Sequence, residues 1–156
     1  MSPLVAALAG LVAALAAIAA ALSWLRRTRM IVIVRGSSMV PTFRDGQRLL
    51  ARRVRDGAAC RRGDAVVFLL TPTQLERAAP GDPAHRVKRV AAVAGDPIPD
   101  WLRQAPGAGA GDHVPPGHVV IAGDNARSQD SRHLGFIETR AIIAVVPPGP
   151  ARRPPS

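Results

Sequence analysis

The 156-residue sequence predicts a mainly β domain, an antiparallel curved sheet or barrel-like fold, preceded by one N-terminal transmembrane helix. Three observations carry that expectation. The first 25 residues contain no charged side chain and are almost entirely Ala, Leu, Val and Ile. Beyond Met30 the texture changes to short apolar runs, each bounded by turn-forming dipeptides, as in strands joined by tight turns. No second long helical pattern follows.

The run Pro3 to Leu25 is apolar on every face and long enough to span a bilayer, which needs about 20 such residues. A cleaved secretory signal would carry a basic stretch before a shorter apolar core, and this run has neither feature. Residues 1–25 are therefore expected to be a membrane anchor. Trp24 would lie at the interface, and Arg26, Arg27 and Arg29 make 26–29 a basic juxtamembrane segment suited to anionic headgroups. Strands are expected at Ile31–Val34, Arg48–Val54, Ala65–Leu70, Arg86–Val93, His118–Ala122 and Ala141–Val146. Turns fall at Asp45-Gly46, Asp56-Gly57, Gly63-Asp64, Pro80-Gly81-Asp82, Gly95-Asp96 and Pro116-Gly117. These place one domain at 30–148, with a Gly, Ala and Pro-rich loop or reduced insertion at 97–116 and a disordered Pro/Arg tail at 149–156.

The net charge is +10, and 21 residues are Lys or Arg, yet aromatics make up 3% and the basic residues are not gathered on one element. A nucleic-acid partner is excluded on that pattern, and the charge is assigned to the membrane surface. Cys60 is the single cysteine, so it can form no intramolecular disulfide and no zinc cluster, and it reads as a small core residue. No metal and no organic cofactor is implied.

Lys88 is the only lysine among those 21 basic residues. Arginine can supply a solvated charge anywhere, but only lysine can lose its proton near neutral pH, because guanidinium stays protonated in proteins. To act as a base its pKa must come down from about 10.4, which burial against apolar groups supplies. Period-two alternation puts Lys88 on one strand face with Val90 and Ala92. Two further segments join it. Gly36-Ser37-Ser38-Met39-Val40-Pro41-Thr42 holds a serine on a turn directly after a strand, and a serine nucleophile needs a base. It lacks the final Gly of a Ser-His-Asp elbow, so a hydrolase using His85 or His133 has no motif behind it. The stretch from Gly123 to Gly135 packs small acceptors and paired charges into one polar loop, the composition of a site wall.

Together these three segments resemble the type I signal peptidase family, membrane-anchored Ser/Lys proteases. Ser38-Met39-Val40-Pro41-Thr42 looks like the nucleophile box and Arg86-Val87-Lys88-Arg89-Val90 like the general-base box. Gly123-Asp124-Asn125 through Ser128, Asp130, Ser131 and Arg132 looks like the last box, and all three stand in family order behind an N-terminal anchor. The resemblance implies Ser38 as nucleophile, Lys88 as general base and Ser128 as the residue that orients the Lys88 amine. It implies an oxyanion site at the Ser38 amide and a donor at or near Gly36, and Met39 lining the first substrate pocket. Arg89 with Asp124, and Asp130 with Arg132, would be structural ion pairs. The implied substrates are secretory preproteins cut after small residues in an Ala-x-Ala pattern.

Some positions depart from the family pattern. Ala92-Val93-Ala94-Gly95-Asp96 keeps the final Gly-Asp turn but not the Gly and Pro usual before it, and the last box is one residue shorter between Asn125 and Ser128 than in many relatives. The positive-inside rule would put Arg26, Arg27 and Arg29 in the cytoplasm, whereas the resemblance implies a catalytic domain on the extracytoplasmic face, and the reading follows the resemblance. Two alternatives belong to other classes. A Ser/Lys maturation protease dedicated to one partner protein could face the cytoplasm, although the self-cleaving kind, related to SOS-type repressors, needs a helix-turn-helix domain that is not seen here. An inactive membrane-anchored binding scaffold would be expected to have lost Ser38 or Lys88.

Overall fold

The computed structural model describes residues 2–76, 84–103 and 111–147. The expected 149–156 tail lies outside the described residues.

The chain opens with helix α1 (Pro3–Thr28), started by Pro3 in the first turn, with the Ser2 side chain accepting from the Val5 amide at 3.4 Å. It is long and apolar enough to cross a membrane, and none of its apolar window is covered by the rest of the chain. It runs three residues past the expected end of the anchor. The basic segment thus falls on its last turn, where Arg26 and Arg27 complement the negative end of the helix dipole, and on Arg29 just beyond it. Strand β1 (Arg29–Ile33) follows with no linker.

The domain is a seven-stranded antiparallel sheet. Its other strands are β2 (Arg48–Arg53), β3 (Ala65–Leu69), β4 (His85–Val93), β5 (His118–Ala122), β6 (Ile137–Glu138) and β7 (Ile142–Val146), in the order β1-β2-β7-β3-β4-β5-β6. The six expected strands are all present with ends shifted by no more than two residues; β6, two residues long, is too short to register as a period-two pattern. Strand β3 is buried on both faces. Val66 and Phe68 pack with Val90, Val119, Ile121 and Ile142, while Ala65 and Val67 pack with Val32, Val34, Leu49 and Ala144. That two-sided burial is why β3 reads as an unbroken apolar run rather than an alternating one. Cys60 sits in the first cluster at 6% exposure, and burial together with the nearby Asp64 carboxylate pushes its thiol pKa up, so it fills core space.

One expectation needs correction and a second gains detail. The strand alternation grouped Lys88, Val90 and Ala92 on one face. All three are buried, but the pairing of β4 with β5 shifts between Val90 and Ala92. As a result Ala92 joins a separate cluster with Ile98, Leu102, Val114 and Val120, and it is Val66 that pairs directly with Lys88. A bulge inserts one residue and resets the alternation, which a period count cannot see. Nor is the 97–116 segment a bare loop in its described parts. Pro97 bridges to His113, and a short helix α2 (Asp100–Arg103) buries Leu102 completely. Its burial comes from single residues, Ile98, Leu102 and Val114, that form no periodic pattern.

Candidate active site

The site forms where the β1–β2 connection, β4 and the loop after β5 meet. The β1–β2 connection is closed at its base by the Val34 amide on the Gln47 carbonyl and the Gly46 amide on the Val34 carbonyl, both at 2.9 Å, leaving Ser38 on the turn between. Gly36 has φ +79°, a left-handed conformation that favours glycine, and space beside it is open. The Phe43 amide bonds the Met39 carbonyl at 2.8 Å, and Met39 is fully buried, so the turn is pinned from below.

Lys88 is 1% exposed and its Nζ donates to Ser128 Oγ at 2.8 Å; Ser128 is itself 3% exposed. The sheet register explains how residues 40 apart meet. Arg89 pairs with Ala122, so Gly123 leaves β5 beside Lys88, and the loop folds back over the strand end. Gly123 is needed there for room. A Cβ on it would lie 2.1 Å from Ser128 Oγ, 2.2 Å from Ser128 Cβ and 2.7 Å from the Ser38 carbonyl oxygen.

Asn125 ties this loop to the serine turn, its amide donating to the Ser38 carbonyl at 3.1 Å and its Nδ2 to the Ser37 carbonyl at 3.2 Å. A second tie runs through charge. Arg89 grips both oxygens of Asp124 at 2.7 and 2.6 Å and reaches Thr42 Oγ1 at 3.3 Å. Burial alone would raise the Asp124 pKa, but hydrogen bonds from Arg89 and Thr42 with the charge of Arg89 outweigh it and hold the carboxyl below its ordinary range. Asp130, 1% exposed, is treated the same way: burial opposes ionisation, and Arg132 with the Arg132 and Gly123 amides overcomes it. Arg132 makes two 2.9 Å bonds to Asp130, and its guanidinium lies 5.9 Å from the Trp101 ring centroid, linking the loop to α2.

These elements enclose a cleft of about 600 Å³. One wall is the run Met30–Val34, the deep side includes Val67 and Val87, and Ser38, Lys88 and Ser128 all line it. Strand β1 is an edge strand, paired only with β2 among the described strands.

A family model described as signal peptidase, peptidase S26, matches residues 5–99 and 101–147, nearly the whole chain. A protein of Bacillus caldolyticus named Signal peptidase I is 30% identical over 136 residues, covering 73% of this chain and 75% of its own length. The chain belongs to the type I signal peptidase family.

The three boxes that carry the signal peptidase resemblance thus fall on three separate elements, and the fold brings them around one cleft. One placement differs from what the sequence implied. The Gly36 amide donates to Asp45 Oδ1 at 2.7 Å, so it is occupied by the turn's own carboxylate; the Ser38 amide has no acceptor among the described residues. Met39 is among the residues that line the cleft, and its side chain is sealed from solvent. Three residues that hold the site had been assigned no role: Thr42, Asp45 and Asn125. Thr42 and Asn125 stand inside the quoted boxes, and their small polar side chains were the available signal.

Proposed function

We propose that this signal peptidase family member is a membrane-anchored serine endopeptidase that removes signal peptides from secretory preproteins through a Ser38/Lys88 dyad. The observation that carries the reading is the buried Lys88 amine held at 2.8 Å by Ser128 in the cleft that Ser38 lines. Burial disfavours the ammonium form, which is what a lysine base requires. Ser38 Oγ attacks the scissile carbonyl while Lys88 takes its proton. The tetrahedral oxyanion is held by the Ser38 amide. Lys88 passes that proton to the departing amine, leaving an ester on Ser38; Lys88 then deprotonates a water that attacks the ester and returns the proton to the departing Ser38 Oγ, which frees the signal peptide's carboxylate and restores the enzyme. Ser128 orients the amine, and the Arg89–Asp124 and Asp130–Arg132 pairs hold the loop without taking part in proton transfer.

An extended peptide suits this cleft, since the edge strand β1 offers main-chain donors and acceptors beside the exposed Ile31 and Ile33. Substrates would be cut after small residues in an Ala-x-Ala pattern. Helix α1 would anchor residues 1–25, with the 30–148 domain on the extracytoplasmic face.

The test is cleavage of a precursor bearing an Ala-x-Ala signal by the full chain in detergent, with Ser38→Ala and Lys88→Arg beside it. Wild type is expected to cut after the second alanine and both variants to be inactive, since arginine keeps the charge and cannot act as base. Cleavage by Lys88→Arg at the wild-type rate would overturn the dyad.

A further inference from the structure

The carboxylates of the site wall are already matched to cations. Asp124 is held by Arg89 and Asp130 by Arg132, while Asp45, on the serine turn, is bonded to the Gly36 amide and does not line the cleft. The cations at the cleft are in surplus. Arg35 precedes Ser38 by three residues and Arg127 immediately precedes Ser128. Both line the cleft, both are exposed, and neither has a carboxylate partner among the described residues. No described Asp or Glu lines it.

From this imbalance, and resting on the peptidase reading above, we infer that the cleft selects peptides carrying an acidic residue close to the scissile bond, with Arg35 and Arg127 as the specificity-determining residues. The other wall, Met30–Val34, offers apolar and main-chain contacts only, so the cleft is divided along its length. Small and apolar substrate residues lie against β1, and an Asp or Glu nearby meets the two guanidiniums at the Ser38 end. An arginine's planar fork matches a carboxylate in two bonds, and the low solvent access of a filled cleft strengthens the pair. The same charges could meet anionic lipid headgroups. Their place in the wall of the cleft that Ser38 and Ser128 also line favours the peptide.

The experiment compares precursor peptides that differ only by Asp, Asn or Lys at one position at a time on either side of the cut. Three readouts are used with the full chain: kcat/KM for cleavage in detergent, Kd for peptide binding to the Ser38→Ala protein, and binding to phosphatidylglycerol vesicles. At the favoured position Asp is expected to exceed Asn by on the order of threefold to tenfold, the scale of two rim ion pairs, with Lys below Asn. The advantage should shrink with added salt and disappear in the Arg35→Gln/Arg127→Gln double variant, read as the Asp-to-Asn ratio within that variant. Equal rates for Asp and Asn at every position, or an Asp preference that survives the double substitution, overturn the inference. So does a double variant that loses only its binding to phosphatidylglycerol vesicles, which would assign the arginines to lipid. Charge-selective binding without any cleavage would sustain this inference while overturning the dyad, so the two failures are distinguishable.

Discussion

The Lys88 amine donates to the Ser128 hydroxyl at 2.8 Å with both side chains almost wholly removed from solvent. A buried lysine is costly unless its polar head is satisfied, and the Ser128 oxygen supplies a neutral acceptor for it. Ser128→Ala is therefore expected to lower kcat by roughly ten- to a hundredfold with a much smaller change in KM, as the base loses its orientation. Ser128→Thr, which keeps the hydroxyl, should recover part of the loss. A kcat unchanged in Ser128→Ala across the pH profile would show that the hydrogen bond has no part in the reaction.

Gly123 and Gly36 need to be glycine for different reasons, and substitution should separate them. Alanine at 123 places a methyl 2.1 Å from Ser128 Oγ and 2.7 Å from the Ser38 carbonyl oxygen, far inside van der Waals contact, so the loop and the serine turn must move apart. Gly123→Ala should abolish detectable cleavage and cost on the order of 1–3 kcal/mol in stability, the scale of overpacking. Alanine at 36 meets open space but must hold φ near +79°, costing about 1–2 kcal/mol with activity retained in the folded fraction. Denaturant melts beside turnover measurements check both.

The acid limb of stability should be set by Asp124 and Asp130. Each carboxyl has a folded-state pKa below its unfolded value, so its contribution is fully present above the ordinary carboxylate pKa of about 3.9 and is lost as pH falls through the lower folded value. The melting temperature should therefore be flat near neutrality and fall below about pH 4. Asp124→Asn should lower the plateau and flatten that fall; an acid limb identical to wild type would count against the pairing.

Trp101 braces the Asp130–Arg132 pair from the far side, through its ring 5.9 Å from the guanidinium. Trp101→Ala is expected to cost about 0.5–1 kcal/mol from the lost cation–π contact, and Trp101→Phe less. A double-mutant cycle with Arg132→Ala should return a coupling of that size, and additive effects would show that the ring and the guanidinium do not interact.

The sequence by itself determined six of the seven strands, the long apolar helix and the three chemical segments, because each is a local signal. A two-sided apolar run such as Val66–Phe68, a 26-residue helix of Ala and Leu, and a lone lysine among arginines are all visible in consecutive residues. What the tertiary structure alone decided were meetings between distant residues. Nothing in the spacing of Gly123 and Lys88 announces that the β4–β5 register brings them level, or that a bulge removes Ala92 from the face it shares in a plain alternation. The engagement of the Gly36 amide by Asp45, and of the Ser37 and Ser38 carbonyls by Asn125, were equally hidden. Hydrogen-bond partners are chosen by geometry at about 3 Å, and that geometry is set by strand register and loop closure, which residue type constrains but does not fix.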